Sequence, residues 1–416
     1  MLWLFYFHSM QLKPEFYKKA IWLSLCFFLV SICLGLFLRL SQVWTITGFN
    51  YKHLLHGHSH ITLLGWVYNS FFIAIVRYIV PKTKRTKGYG RIFWLTQLTI
   101  FASLISFPLQ GYGVLSIVFS TLFIICSYCF CYRVLRDLKN EQSIAAKFIR
   151  WAIYYLILSS IGPWSLGAIM NLGLKDTDWY PLSIYFYLHF FYNGFFVFSI
   201  FGLLFRELNK VDIQFNYQKA SKIFFWLNIT CAPSFLLSVL WTEPSMWAYL
   251  IAFLASLMQL WACVLLFHFL KPYLSHFKNK MKGMVYTILA ISTIALYLKV
   301  ILQVVSAVPW MAEMIYAIKS YLVIGYIHLV MLGFVSCFLL GYLIFKNVLK
   351  LDQMGKLGLG LFILGLIGSE LLLFGQGTLQ VFQLGMIKQL YTFLFIISAC
   401  MPIGILIFFS RQRISR

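Results

Sequence analysis

The chain has 416 residues, of which 61% are hydrophobic, 19% are aromatic and only 11% are charged. A soluble domain carries about 25% charged residues, so this composition excludes a soluble protein and indicates a polytopic membrane protein. The formal net charge of +23 would suit a nucleic-acid-binding protein, but the basic residues stand in short loops between apolar stretches. The positive-inside rule explains that placement, and we therefore expect no nucleic-acid partner.

Apolar stretches of membrane-spanning length recur along the whole sequence. A helix needs about 20 apolar residues to cross the hydrocarbon core of a bilayer, and twelve stretches meet this requirement. They predict an all-α bundle of twelve transmembrane helices that forms a single membrane domain over residues 1–416. The predicted spans are 20–40, 54–80, 91–109, 113–135, 149–171, 183–205, 220–241, 245–270, 283–306, 319–345, 357–376 and 389–410.

The distribution of lysine and arginine predicts the orientation of these spans. Of the 34 basic residues, 28 fall on the side that holds both termini. The other 6 are Arg39, Lys52, Lys175, Lys299, Lys319 and Lys388. Basic loops remain on the cytoplasmic side, so we expect both termini to be cytoplasmic. The protein is then a multi-pass protein embedded in lipid, in a bacterial inner (cytoplasmic) membrane. No internal repeat is expected.

Three histidines occur at a similar depth in remote predicted spans. His58, His189 and His328 lie about five, six and nine residues into spans two, six and ten, which at about 1.5 Å per residue places all three in the outer half of the bilayer. Metal-capable side chains are costly in lipid and mark functional sites. We interpret the three as parts of one shared site, with unrelated core histidines as the alternative.

The helical period separates the histidines of span two. At about 100° per residue, His58 lies opposite the face that carries His53, His56 and His60. Its own face continues through small and polar residues, namely Thr62, Gly65 and Asn69. Helices turn such residues toward neighbouring helices or a cofactor, so His58 is the predicted internal ligand. For the opposite face, two interpretations stay open: a surface copper or zinc site that uses His53, His56 and His60, and an uncoordinated, wet interfacial cap.

Two imidazoles from facing helices are a common axial pair for a low-spin haem. We therefore predict that His58 and His328 ligate a haem, most simply of the b type. His189 has no predicted partner, although Tyr185, Tyr192 and Asn193 share its face. It is expected to tune the haem or line a small polar cavity, with a bound copper ion as the alternative.

Other ionisable residues lie near the predicted outer ends of the spans. Arg39 and Lys52 are near His58, where they are expected either to contact haem propionates or to serve as ordinary interfacial anchors. Lys299 in span nine and Glu370 in span eleven also lie toward the outer ends of their helices. For Lys299 we expect its amine to reach the membrane interface, as long basic side chains commonly do, with a haem-propionate partner or a proton-path residue as the alternative.

Twelve spans with histidines near the outer ends of spans two, six and ten resemble the catalytic subunit (subunit I) of the haem-copper oxygen and nitric oxide reductases. The stretch from His58 to Trp66, His-Ser-His-Ile-Thr-Leu-Leu-Gly-Trp, resembles the low-spin haem motif of C-family oxidases. This resemblance again implies His58 as the ligand in span two. The histidine-rich second span is also similar to that of NnrS-type haem- and copper-binding membrane proteins linked to nitric oxide stress.

The resemblance is incomplete at the family's active site. Tyr326-Ile-His328 stands where the family has His-x-His, so only the low-spin haem ligand is matched, and His189 stands for a copper ligand. The family's adjacent His-His pair is absent, because residues 220–240 contain no histidine. The resemblance therefore implies a bis-histidine haem on an oxidase-like fold, without the usual binuclear centre.

Three functions follow from these observations. The first is a membrane haem protein for electron transfer or for oxygen- or nitric-oxide-related chemistry, served by a cytochrome or quinol electron donor. The second is an active terminal oxidase or nitric oxide reductase with unusual metal ligation, which would make the protein an oxidoreductase. The third is a histidine-based metal transporter, which predicts intramembrane carboxylates and broken helices.

Overall fold

The computed structural model describes residues 11–211, 215–281 and 283–412. Within these ranges the secondary structure is helical, and the one β-type contact is an isolated bridge between Gln11 and Thr86. The two ends of the chain, predicted to be cytoplasmic, lie outside the described residues. The first six membrane helices are α1 Pro14–Val43, α2 Tyr51–Ile79, α3 Lys87–Gln110, α4 Val114–Asp137, α5 Ile144–Asn171 and α6 Trp179–Leu208.

The seventh predicted span differs from the others because it is not one continuous helix. Helix α7 covers Tyr217–Cys231 and is followed by 3₁₀ turns at Pro233–Ser238 and Leu240–Thr242. Proline has no amide hydrogen and its ring clashes with the preceding helical turn, which accounts for the end of the α-helix near Pro233. The prediction of a regular helix over 220–241 is therefore wrong in its second half.

The remaining membrane helices match the predicted positions closely. They are α8 Met246–Leu270, α9 Met284–Ser306, α10 Tyr321–Phe345, α11 Gln353–Val381 and α12 Leu390–Ser410. Short helices at Leu274–Lys280 and Pro309–Ala317 lie between them. In the described part of the chain, eleven helices are thus long and apolar enough to cross a membrane. The protein is an all-α, multi-pass membrane protein.

The chain forms two compact units. The first contains residues up to Phe130, Gly283–Leu289 and the chain from Ser336 onward. In this unit α11 and α12 approach closely through glycines, and the Phe28 ring of α1 stacks on Trp66 of α2 with their centroids 4.6 Å apart. Small residues allow this close packing, which holds membrane helices together where lipid removes the hydrophobic driving force.

The second unit contains residues 131–282 and Ala290–Val335. Its core includes Phe148 of α5, whose ring packs against four other phenylalanines: Phe198, Phe201, Phe205 and Phe224. Helix α6 crosses α5 at Gly194, where an added Cβ would overlap the Tyr155 side chain. Aromatic pairs stabilise a core beyond the area that they bury, so this cluster fixes the position of α6 against α5.

Asp352 caps the start of α11 outside the membrane. Its carboxylate accepts hydrogen bonds from the Gly355 amide at 2.8 Å and from Arg411 Nε at 2.7 Å. Both bonds lower the pKa of Asp352 below its ordinary value, and the bond from the Gly355 amide has the larger effect. A lowered pKa means that the carboxylate stabilises the folded state at neutral pH and that this contribution is lost as the carboxyl protonates.

Replacing Asp352 by alanine should therefore lower the thermal unfolding temperature at neutral pH. The difference from the wild type should shrink as the pH falls below about 4, the ordinary pKa of an aspartate. Thermal unfolding in detergent across this pH range measures the effect. Asp352→Asn is the matched control because asparagine keeps the cap and removes the charge. An Asp352→Ala effect that is the same at every pH would contradict the prediction.

Candidate functional site

His58 of α2 is oriented by the backbone of α1. Its Nδ1 atom lies 2.8 Å from the carbonyl oxygen of Ser31. Because a carbonyl oxygen can only accept, Nδ1 carries the proton, and in neutral histidine the Nε2 atom then keeps its lone pair. Metal-binding histidines are typically held in this way, with the other ring nitrogen bonded to a carbonyl or a carboxylate. The geometry therefore leaves Nε2 of His58 available as a ligand.

The contact between α1 and α2 at His58 is close and polar. A Cβ atom added to Gly35 would lie 2.9 Å from Cε1 of His58, so only glycine leaves room for the ring. The Ser31 and Thr62 hydroxyls share a hydrogen bond, and Thr62 also donates to the His58 carbonyl at 2.8 Å. These bonds satisfy the hydroxyl groups inside the membrane and fix the rotation of α2 about its axis.

Arg39 lies one helical turn beyond Gly35 on α1. Its Nη2 atom is buried and has no hydrogen-bond partner among the described residues, and its strongest electrostatic interaction is with Glu370 of α11. A buried guanidinium nitrogen without an acceptor is costly, so this end of α1 can accommodate an anionic group. Lys52, the other predicted propionate contact, is exposed.

The other histidines of α2 lie on the opposite face from His58, as the helical period predicts, and this face meets α3 and the residues directly after it. The His60 ring stacks on Phe107 at a centroid distance of 4.0 Å, and its Nε2 atom lies 3.4 Å from the Tyr112 hydroxyl. The His56 ring makes an edge contact with Tyr112 at 4.6 Å. His53 lies against Gly111. Within the described residues no group of three or more histidine, cysteine or acidic side chains is arranged to hold a metal ion.

Both ring nitrogens of His189 in α6 are engaged in hydrogen bonds. Nε2 lies 2.8 Å from the Cys231 carbonyl oxygen, and Nδ1 lies 3.2 Å from Nδ2 of Asn193. Since the carbonyl requires a proton on Nε2, Nδ1 accepts from the Asn193 amide. A copper ion could bind His189 only by displacing one of these bonds. The geometry therefore favours the predicted role in lining a polar site.

The Lys299 side chain of α9 is buried, which differs from the position predicted for it. It is only 3% exposed, and its Nζ atom donates to Oε1 of Gln303 at 2.9 Å. The prediction that this amine extends to the membrane interface is wrong, because the side chain is enclosed by its own unit. The burial was not visible in the sequence, since it depends on the neighbours that α9 meets.

A local distortion follows the histidines of α2, α6 and α10. Each helix changes from α to π geometry, at Ile61–Tyr68, Phe190–Phe196 and Leu329–Ser336. Each π segment starts directly after a histidine, namely His60, His189 and His328. Short π segments are frequent at functional sites. The recurrence therefore supports a functional role for these three segments.

The same three segments share a sequence pattern that the sequence analysis missed. A glycine stands five residues after each histidine, at Gly65, Gly194 and Gly333. The residue after it is aromatic, namely Trp66, Phe195 and Phe334. This His-x4-Gly-aromatic pattern returns at every fourth span and corrects the expectation of no internal repeat. In its register the counterpart of His189 and His328 is His60 and not His58, so the two histidines of α2 must be compared directly.

The residues of the predicted site belong to both compact units. Ser31, Gly35 and Arg39 surround His58 in the first unit, whereas Asn193 and Cys231 bind His189 in the second. His328 is half-buried at the end of the α-helical part of α10. Comparison with protein-family models and with curated proteins found no match to this chain.

Proposed function

We propose that this protein is a haem-binding membrane protein of oxidase-like fold and that Nε2 of His58 is an axial ligand of a b-type haem. The observation that carries the proposal is the hydrogen bond from Nδ1 of His58 to the Ser31 carbonyl. It fixes the ring and its tautomer and raises the basicity of the ligand nitrogen. The same bond satisfies the buried N–H group of the ring and leaves Nε2 as the ring nitrogen that can bind a metal.

The surroundings of His58 suit a haem. Gly35 removes the side chain that would fill the space beside the ring, and Arg39 supplies a buried cationic nitrogen that can interact with a propionate. His328 is the proposed second ligand, on the sequence argument that it lies at a depth similar to that of His58 and on the π segment that follows it. A haem held by these two histidines would supply one-electron transfer.

The proposed role is therefore electron transfer or a response to oxygen or nitric oxide, in a bacterial cytoplasmic membrane and with a cytochrome or quinol donor. An active terminal oxidase is less well supported, because His189 uses both ring nitrogens in hydrogen bonds. The interruption of α7 favours the transporter alternative in one respect, since broken helices are typical of transport sites. The buried Lys299 beside it argues against a metal cation, because like charges repel.

We also propose twelve membrane crossings. The 15 residues of α7 and the 6 residues of the following 3₁₀ turn extend over roughly 35 Å at the usual rise per residue. This length exceeds the hydrocarbon thickness of about 30 Å. The crossing is also needed to bring Lys219 and Lys271 to the same, basic side of the membrane.

The haem proposal is tested by the reduced-minus-oxidised spectrum of the purified protein, with and without carbon monoxide. We expect a sharp low-spin α-band, no large carbon monoxide shift and about one haem iron per chain, as a single bis-histidine site requires. His58→Ala and His328→Ala should each abolish the band. A wild-type protein without haem would overturn the proposal.

His60→Ala is the matched control on the same helix, since His60 packs against α3 and not against α1. It should keep the wild-type spectrum. Loss of the α-band in His60→Ala, with a normal spectrum in His58→Ala, would show that the haem ligand in α2 is His60, the histidine that matches the repeat pattern. Copper in the purified protein that is lost in His189→Ala would instead favour the oxidase alternative.

A further inference from the structure

The interruption of α7 leaves one backbone carbonyl oxygen in the second unit without its α-helical hydrogen bond. In a continuous α-helix the Phe235 amide would bond to the Cys231 carbonyl. Here it bonds to Ala232 at 3.0 Å instead. The released Cys231 oxygen accepts hydrogen bonds from Nε2 of His189 at 2.8 Å and from the Ser234 hydroxyl at 3.0 Å. Irregular backbone at membrane depth occurs where it is enclosed by protein or lines a hydrated cavity.

A small cavity adjoins this interruption. Its volume is about 20 Å³, and a cavity needs roughly 10–15 Å³ on this measure to hold one water molecule. Its lining is mixed: six of the eleven residues are apolar, and the other five are polar or contain sulfur, namely Asn193, Cys231, Gln259, Cys263 and Lys299. Apolar cavities stay empty, whereas polar cavities of this size hold water when two to four partners are present.

The hydrogen bonds around the cavity leave one acceptor and several donors unused. Asn193 gives an amide hydrogen to His189, and its Oδ1 atom is buried without a partner among the described residues. Lys299 has three N–H groups, and the one hydrogen bond from its Nζ atom within the described chain goes to Gln303. No described carboxylate lies within ion-pair distance of Nζ. An unbonded polar group in this setting costs roughly 1–3 kcal/mol.

We propose that the cavity is a binding site for one water molecule that accepts a hydrogen bond from Lys299 and donates one to Oδ1 of Asn193. The water joins Lys299 to Asn193, His189 and the carbonyl of Cys231 in one hydrogen-bonded chain. Its place beside the end of α7 keeps the ammonium group solvated inside the membrane, where no carboxylate of the described chain neutralises it. The site lies within one unit and does not depend on haem binding.

Hydrogen–deuterium exchange of the cysteine thiols tests this proposal. Cys231 and Cys263 line the cavity, and both are only 1% exposed to the surface. Cys337 is fully buried in the first unit and does not line this cavity. After transfer of the lipid-reconstituted protein to D2O, infrared spectroscopy follows the loss of each S–H stretching band, assigned with Cys→Ala variants. We expect the Cys231 and Cys263 bands to exchange much faster than that of Cys337.

Lys299→Met and Asn193→Leu remove one partner of the water each. In either variant the exchange of Cys231 and Cys263 should slow about tenfold, the change expected for the loss of one hydrogen bond. Ser292→Ala is the matched control, because it removes a buried hydroxyl of α9 that bonds to Phe334 away from the cavity. Exchange at the rate of Cys337 in the wild type would overturn the proposal, as would unchanged exchange in both variants.

Discussion

Replacement of Gly35 by valine should remove the haem without unfolding the protein. An added Cβ would lie 2.9 Å from Cε1 and 3.3 Å from Nδ1 of His58, so the ring would have to leave the Ser31 carbonyl. Such overpacking costs about 1–3 kcal/mol, which corresponds to roughly 5-fold to 150-fold in binding affinity. The haem content per chain and the reduced α-band measure this loss.

The control for this prediction is Gly375→Val in α11. An atom added at Gly375 meets nothing within 4 Å, so this variant changes a glycine of the same unit without crowding a neighbour. It should keep its haem. Both variants should elute as monodisperse protein in size-exclusion chromatography. Full haem content in a folded Gly35→Val protein would show that the His58 position is not a ligand position.

The membrane helices could be predicted from sequence because their determinant is local. Twenty apolar residues in a row and basic loops are read directly along the chain, and eleven of the predicted spans correspond to observed helices. The break in α7 could not be predicted in this way, since Pro108 and Pro402 stand inside continuous helices. Pro233 ends α7 where His189 and Ser234 replace the lost partner of the Cys231 carbonyl.

In the candidate site, too, some features follow from local sequence and others depend on contacts between helices. The opposite orientations of His58 and His60 follow from about 100° of rotation per residue, and the structure agrees with them. The partners of His189 and the burial of Lys299 depend on contacts between remote helices, which no local pattern encodes. The repeat of histidine and glycine was readable in the sequence. Its relevance became evident only because a π segment begins after each of the three histidines.

Replacement of Gly404 by leucine should have a large effect on stability. Helices α11 and α12 touch backbone to backbone there: a Cβ at Gly404 would overlap the Gly358 carbonyl oxygen and lie 2.6 Å from the Phe362 amide nitrogen. Neither backbone atom can move as a flexible side chain would.

The cost of Gly404→Leu should therefore lie at the upper end of the usual range for overpacking, about 3 kcal/mol. We expect a clear drop in thermal unfolding temperature in detergent and a lower yield of monodisperse protein. Gly375→Leu on α11 is the matched control, because the same side chain enters open space there. Close helix contact through small residues is a main source of stability in a bilayer. Equal stability of the two variants would mean that α11 and α12 are not held together by this contact.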